Sequence, residues 1–338
     1  MTEFIPRISI SIGDYKGIGP EVILKTLADK VLISHSTPII LAPKSILEQY
    51  TLDLFTTLSC HFPNNSSDIK DGIVNVLDLE TTLKDSDFEE KEKEHHSGKF
   101  AMKSIEAGIR LCMNNNAHAL VTAPISKEAV NIAGYKIPGH TEFLASKTNT
   151  NEVLMMLVSG DLRVSLVTTH IPIRKVAQTI SPELIEKKFQ ILAQSLKSDF
   201  GIERPKVAIF GLNPHAGDGG VIGLEEKNMI TPLIQSLKKR YPEVEVNGPF
   251  PADGFFGQQL HKQYDAILAM YHDQGLAPFK LLSFGKGVNF TAGLPIIRTS
   301  PDHGTAFDIA GKGIANPSSF KEAYSLAVKL AKQRFSEP

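Results

Sequence analysis

The chain has 338 residues, 42% hydrophobic and 22% charged, with a formal net charge of -1. Scattered Lys and Arg exclude the basic field of a nucleic-acid or membrane-surface binder. No apolar run reaches the ~18 residues that span a bilayer, and two cysteines are too few for a disulfide framework or a zinc ribbon. Length suggests about two domains. The N-terminal stretch lacks the layout of a signal peptide, so a cytoplasmic enzyme is expected.

Residues 8–12 form a β-rich run that ends in Gly13-Asp14-Tyr15-Lys16-Gly17-Ile18-Gly19-Pro20-Glu21, followed by a helical stretch from Val22. A strand, a glycine-marked loop and a helix with Pro at its start and an acid in its first turn fit a βα unit. The loop is neither GxGxxG nor a P-loop, and it reads either as a structural turn or as a contact for substrate or cofactor. Residues 31–80 alternate apolar runs, at 38–42 and 73–77, with helical stretches. Residues 85–96 are nearly all charged and end in His95-His96. Adjacent residues do not share one face of regular structure, so this pair reads as part of a solvated loop rather than as a metal site. Helical spacing of Ala101, Ile105, Ile109 and Cys112 predicts a helix from Lys99 up to Asn114-Asn115-Asn116. A strand at 119–121 follows, and residues 122–127 leave it.

Residues 134–143, GYKIPGHTEF, are loop-like around Pro138-Gly139, and a helix begins near His140-Thr141-Glu142. Thr141 is a candidate N-cap; alternatively, an imidazole and a hydroxyl at a helix N-terminus bind an anion. Three predicted strands then run into histidines. Residues 164–169 lead to His170, 207–211 to Asn213-Pro214-His215, and 266–270 to Tyr271-His272-Asp273-Gln274. Parallel strands bring their carboxyl ends to one edge, where open α/β sheets bind ligands. Three neutral imidazoles with an open position suit a catalytic divalent metal, although the spacing matches no closed zinc motif. Asp273 and Gln274 are candidates to support the metal or to touch substrate.

Residues 213–223, NPHAGDGGVIG, read as a mobile site loop, and 248–253 as a Pro/Gly-marked loop ending in the carboxylate of Asp253. Residues 233–239 are helical. Lys280, Lys286, Asn289 and Arg298 are interspersed with Gly285, Gly287 and Gly293, which puts cations and an amide donor on backbone that can approach an anion closely. Residues 318–335 close the chain as an amphipathic helix. No internal repeat or low-complexity linker separates the domains, so they are expected to interleave.

Read together, GIGPE, TAPI-K, PGHTE, TTHIP, GLNPHAG, MYHDQGL-P-K, GVN-T-GLP-IRTS and DHGTA-DIAG occur in that order over nearly the whole chain. In this the chain resembles the 4-hydroxythreonine-4-phosphate dehydrogenase family of vitamin B6 (pyridoxal phosphate) biosynthesis. The segment from His303 is also similar to the adenosine-binding segment of isopropylmalate and isocitrate dehydrogenases. The resemblance implies an α/β fold of two interleaved α/β/α domains with the active site in the cleft between them. Their expected bounds are 1–137 plus 290–338 on the nucleotide side, and 138–289 for the metal ligands and dimer contacts. It implies that His170, His215 and His272 hold one divalent ion (Zn, Mg or Co), with one ligand supplied by the partner subunit of a homodimer. It implies substrate contacts from His140, Thr141, Lys280, Asn289 and Arg298, and adenosine near Gly304 and Asp308. Asp253, Asp273 and Lys280 are the candidate bases.

The implied reaction is NAD-dependent, with NADP left open. The 3-hydroxyl of 4-phosphohydroxy-L-threonine is oxidised, and decarboxylation gives 3-amino-2-oxopropyl phosphate. Relatives of this kind that oxidise 4-phosphothreonate or phosphoerythronate would keep the same cations. A cis-dihydrodiol substrate is disfavoured by Lys280 and Arg298, which suit an anion. The distant alternative is a non-catalytic metabolite-binding protein. One departure stands out. The family's usual Asp-Pro-Ala before GIGPE is here Asp14-Tyr15-Lys16, which is expected to place a phenol and an added cation at the mouth of that loop.

Overall fold

A computed structural model describes residues 4–53, 58–79, 90–137 and 139–336. The chain divides into two compact units, one running up to Asn151 and resuming at Leu294, the other spanning Glu152–Gly293. The first boundary therefore falls after Asn151 and not at the expected residue 137, which puts His140 and Thr141 in the first unit.

The first unit opens with β1 (Arg7–Ser11), α1 (Gly19–Leu27), the short α2 (Lys30–Ser34), β2 (Thr37–Ala42) and α3 (Lys44–Asp53). It continues with β3 (Cys60–His61), β4 (Val74–Asp78), α4 (Glu90–Met113), β5 (Ala119–Thr122), α5 (Lys127–Ile132) and α6 (His140–Lys147). All strand pairings here are parallel, in the order β3-β4-β2-β1-β5. Successive residues of β1 and β2 are buried, as expected of strands covered on both faces.

Two expectations are corrected in this region. His95 and His96 lie inside α4 and not in a loop, because the Glu and Lys around them are strong helix formers; residues 85–89 lie outside the described residues. Thr141 is not an N-cap. Gly139, in extended backbone, takes that position, and Thr141 sits one residue into the first turn after His140. Pro138 lies outside the described residues.

The second unit contains β6 (Leu154–Ser159), β7 (Leu162–Leu166), α7 (Ile173–Thr179), α8 (Pro182–Ser198), β8 (Lys206–Phe210) and α9 (Thr231–Arg240). It ends with β9 (Glu245–Phe250), α10 (Ala252–Gly257), β10 (Ala266–Ala269), α11 (His272–Ser283) and β11 (Val288–Ala292). The strand order is β11-β6-β7-β10-β8-β9. β7, β10, β8 and β9 run parallel, and β6 is antiparallel to both its neighbours. Residues 248–253, expected as a loop, are the end of β9 and the start of α10.

One face of β7, β10 and β8 contributes Val164, Leu166, Ile267, Ala269, Ala208 and Phe210 to a core closed by Phe255 of α10 and by Leu276 and Phe279 of α11. α11 lies so close to this face that a Cβ on Gly275 would stand 2.9 Å from both Val164 and Leu166. That approach fixes where the first turn of α11, including His272, is presented.

The chain then returns to the first unit as β12 (Ile297–Pro301), parallel to β5, and α12 (Ser318–Phe335). The bounds of α12 match the amphipathic stretch read from the sequence. Among the described residues no helix is long and apolar enough to cross a membrane.

Candidate active site

In the second unit the register places the carboxyl ends of three parallel strands level with one another. Leu166 of β7 pairs with Ala269 of β10, and Leu268 of β10 with Ile209 of β8. Side chains then bind the ends together. The Thr168 hydroxyl donates to the Met270 carbonyl at 2.8 Å. The Gln274 amide accepts from Met270 N–H and donates to the Gly211 carbonyl, both at 2.7 Å. Gln274, expected near the site, thus ties the end of β10 to the end of β8.

His170 and His272 leave this edge with ring centroids 5.7 Å apart. Imidazoles sharing a tetrahedral ion at Zn–N distances of about 2.0–2.1 Å have centroids roughly 5 Å apart, so small side-chain adjustments bring this pair onto one ion. His272 Nδ1 lies 2.7 Å from the Asp273 carboxylate, an arrangement that fixes the tautomer with its proton on Nδ1 and leaves Nε2 as a lone-pair donor. Thr169, His170, Ile173, Tyr271, His272 and Asp273 are among the residues lining a cavity of 270 Å³.

His215 occupies a turn at Pro214–Gly220 rather than an open loop. Five consecutive residues, His215, Ala216, Gly217, Asp218 and Gly219, have φ between 43° and 81°. Three are not glycine, and such conformers cost about 1–3 kcal/mol each. Among the described residues no three His, Cys, Asp or Glu side chains gather closely enough to hold a metal ion. The donor chemistry of His170 and His272 fits a divalent metal; the third imidazole of the same chain is not gathered with them.

Of the other residues expected in this unit, Lys280 is exposed on α11 and Asp253 is exposed in the first turn of α10. Asn289 lies on β11, its side-chain oxygen buried and without a hydrogen-bond partner.

In the first unit, Arg298 on β12 is 2% exposed and is the largest fully buried side chain among the described residues. Its Nε and Nη2 donate to the Thr122 hydroxyl at 3.2 and 2.7 Å, across the β12–β5 pairing. Burial pushes the guanidinium down to about 10, which leaves it charged at neutral pH. His140 opens α6 with its Nε2 buried and unpartnered. Burial, then the positive charges of Arg298 and Lys127, hold its pKa well below the ordinary imidazole value, so the ring is neutral. A fixed cation beside a neutral imidazole with an unused nitrogen suits an oxyanion or hydroxyl ligand. Thr141 is half-buried in the same first turn.

Gly304 and Asp308 are exposed around the short turn Phe307–Ile309. A Cβ on Gly304 would meet nothing within 4 Å. The expected pairing of phenol and cation at the first loop separates. Tyr15 is buried, its carbonyl accepting from the Tyr50 hydroxyl at 2.9 Å. Lys16, in contrast, lines a 350 Å³ cavity with Asp14, Ser97, Ser126, Glu128 and Phe307. Sequence reasoning passed over Thr122, whose hydroxyl gave no signal beyond its place at a strand end, and Glu226, considered below.

Mixed α/β units with polar side chains at the carboxyl ends of parallel strands define the class, an α/β enzyme. Residues 34–327 match the family described as pyridoxal phosphate biosynthetic protein PdxA. A 4-hydroxythreonine-4-phosphate dehydrogenase from Bacteroides thetaiotaomicron is 42% identical, with 98% of this chain and 90% of the relative covered. A relative from Oceanobacillus iheyensis, named provisionally as a D-threonate 4-phosphate dehydrogenase, is 41% identical over 96% of this chain and 98% of its own. The solved 4-hydroxythreonine-4-phosphate dehydrogenase from Klebsiella pneumoniae superposes with a TM-score of 0.87 at 36% identity, covering 98% and 99% of the two chains. The chain belongs to the PdxA family, and it is an oxidoreductase.

Proposed function

We propose that the protein is a cytoplasmic, NAD-dependent 4-hydroxythreonine-4-phosphate dehydrogenase that uses one divalent metal ion. The observation that carries this reading is the buried, charged Arg298 beside the neutral His140, a built anion site in a family of dehydrogenases. When bound, the divalent ion would polarise the substrate's 3-hydroxyl and the ketone formed from it, and the nicotinamide would accept the hydride.

The chain's own residues supply the rest. His170 and His272 would hold the ion, with Asp273 keeping His272 Nε2 free to bind it. Arg298, steadied by Thr122, would bind an anionic group of the substrate as a fork, and His140 would hydrogen-bond a substrate oxygen through Nε2. The Asn289 oxygen would accept from the substrate, and Lys280 would add a mobile charge. With Lys280 acting as a cation and Asp273 engaged by His272, Asp253 is the candidate to take the hydroxyl proton. Gly304 and Asp308 would border the adenosine of the cofactor.

A homodimer completes the reading. The second unit carries strongly exposed apolar side chains, Ile173, Val221, Leu281 and Phe284, of a kind that association covers. A partner subunit would also supply the third imidazole, His215 being the candidate.

The name of the Oceanobacillus relative favours one second reading, oxidation of a 4-phosphothreonate with the same cations and no amino group to recognise. The two are separated by measuring kcat/KM for both substrates with NAD and identifying the product of the first. Faster turnover of 4-phosphohydroxy-L-threonine, with release of one carbon dioxide per nicotinamide reduced, supports the proposal. Turnover of the threonate alone replaces it.

A further inference from the structure

The His215 turn has a feature that its sequence motif does not announce. One of its five left-handed residues, Gly217, packs against a single carboxylate, that of Glu226, which is 4% exposed. Glu226 Oε1 accepts from the backbone N–H groups of Leu212 and Asn213, both at 2.7 Å. Its Oε2 accepts from Asn213 Nδ2 at 3.0 Å, and the same amide donates to Glu225 at 2.7 Å. The carboxylate therefore grips the chain just before Pro214-His215, where β8 has ended.

The surrounding glycines are explained by this grip. A Cβ on Gly217 would stand 2.5 Å from Glu226 Oε2, and one on Gly223 would stand 2.3 Å from Asn213 Nδ2. Both leave room for a carboxylate and an amide that side chains would displace. Glu226 also begins a single π-helical turn, Glu226–Ile230, that runs into α9. Such turns are frequent at functional sites. The π-turn and α9 thus hold the carboxylate, the carboxylate holds residues 212–213, and these set the strained turn on which His215 is displayed.

We propose that Glu226 is the positioning residue for His215, holding its imidazole in the orientation in which it ligates the metal. This rests on the reading of His215 as a metal ligand, and it adds the device that presents it. Supporting groups behind a metal ligand change metal affinity typically 10- to 100-fold when removed.

The test uses the full-length protein stripped of metal and titrated with cobalt(II), followed by visible absorbance and equilibrium dialysis. Glu226→Gln keeps the size of the side chain but replaces one acceptor oxygen with a donor that faces N–H groups. It is expected to weaken cobalt(II) binding 10- to 100-fold, with turnover recovering as cobalt(II) is raised. Unchanged affinity within twofold, with only a lower melting temperature of the metal-free protein, would make Glu226 a structural residue and overturn the proposal. Should Glu226→Gln fail to fold, Asn213→Ala removes the amide contacts to both carboxylates and leaves the two backbone bonds. It is expected to weaken cobalt(II) at least threefold, and no change overturns the proposal. His215→Ala is the control that separates the two levels. If it binds cobalt(II) as tightly as the wild type, the ligand reading fails and takes this inference with it. If it binds weakly while Glu226→Gln binds normally, only the role of Glu226 fails.

Discussion

Gln274→Glu exchanges one atom of the amide that joins two histidine-bearing strand ends. The amide accepts from Met270 N–H and donates to the Gly211 carbonyl, each at 2.7 Å. An ionised carboxylate still accepts from Met270 but places an anionic oxygen against the Gly211 oxygen. Losing that hydrogen bond and leaving a buried carbonyl facing like charge should cost about 2–3 kcal/mol at pH 8. At about 1.4 kcal/mol per pKa unit, this raises the folded-state pKa of the new carboxyl from about 4.3 to roughly 6. The sign follows: the destabilisation is full above that folded value and fades as pH falls toward the unfolded value, because the protonated carboxyl again donates to Gly211. For a unit of this size, with about 2–4 °C per kcal/mol, the variant should melt about 4–12 °C below wild type at pH 8 and only about 2–4 °C below at pH 5. Scanning calorimetry at the two pH values measures both gaps. A gap that does not narrow on acidification would refute the opposed-oxygen reasoning, and so would one under about 0.5 kcal/mol at pH 8.

Three further substitutions probe the site and its support. Arg298→Lys keeps charge but loses the fork, and should raise the KM for the phosphorylated substrate roughly 10- to 150-fold, from about 1.5–3 kcal/mol of charged hydrogen bonding; initial rates against substrate concentration give the ratio. Because the pKa of His140 is held below its unfolded value, stability should fall as pH drops below about 6.5, where the unfolded chain takes up a proton that the folded one refuses. His140→Asn should lessen that fall between pH 7.5 and 5.5 in thermal melts. Phe279→Ala empties a fully buried site in the core beneath the strand ends and should destabilise by about 3–5 kcal/mol, read as a lower melting temperature.

Much of this was legible in the sequence because strand-end chemistry is local. A short apolar run followed at once by His272 and Asp273 announces both a strand and its polar edge, and β10 lies where that reading put it, whereas the helix α11, which runs straight through Gly275, was not read from the sequence. α12 was legible for a similar reason, its apolar spacing being undisturbed from 318 to 335. His95 and His96 misled because charge was taken for loop, when Glu and Lys propagate a helix as readily as apolar residues do. Tyr15 misled differently. Its bulk suggested exposure at a loop mouth, and only tertiary packing shows that the ring is buried and the cation beside it lines the cavity. Glu226 carried no signal, since its part depends on a turn that brings it back against residues 212–213. The cation at Arg298 was readable, but its burial against Thr122 depends on β12 joining β5 across more than 170 residues of chain.

The most direct test of the central claim is the reduction of NAD by metal-stripped protein with 4-phosphohydroxy-L-threonine, followed by absorbance of the reduced nicotinamide as a divalent ion is added back. The account predicts near silence without metal, recovery that saturates at one ion per chain, and no comparable recovery in His272→Ala. Full turnover in the stripped protein, or recovery in His272→Ala equal to wild type, would contradict it.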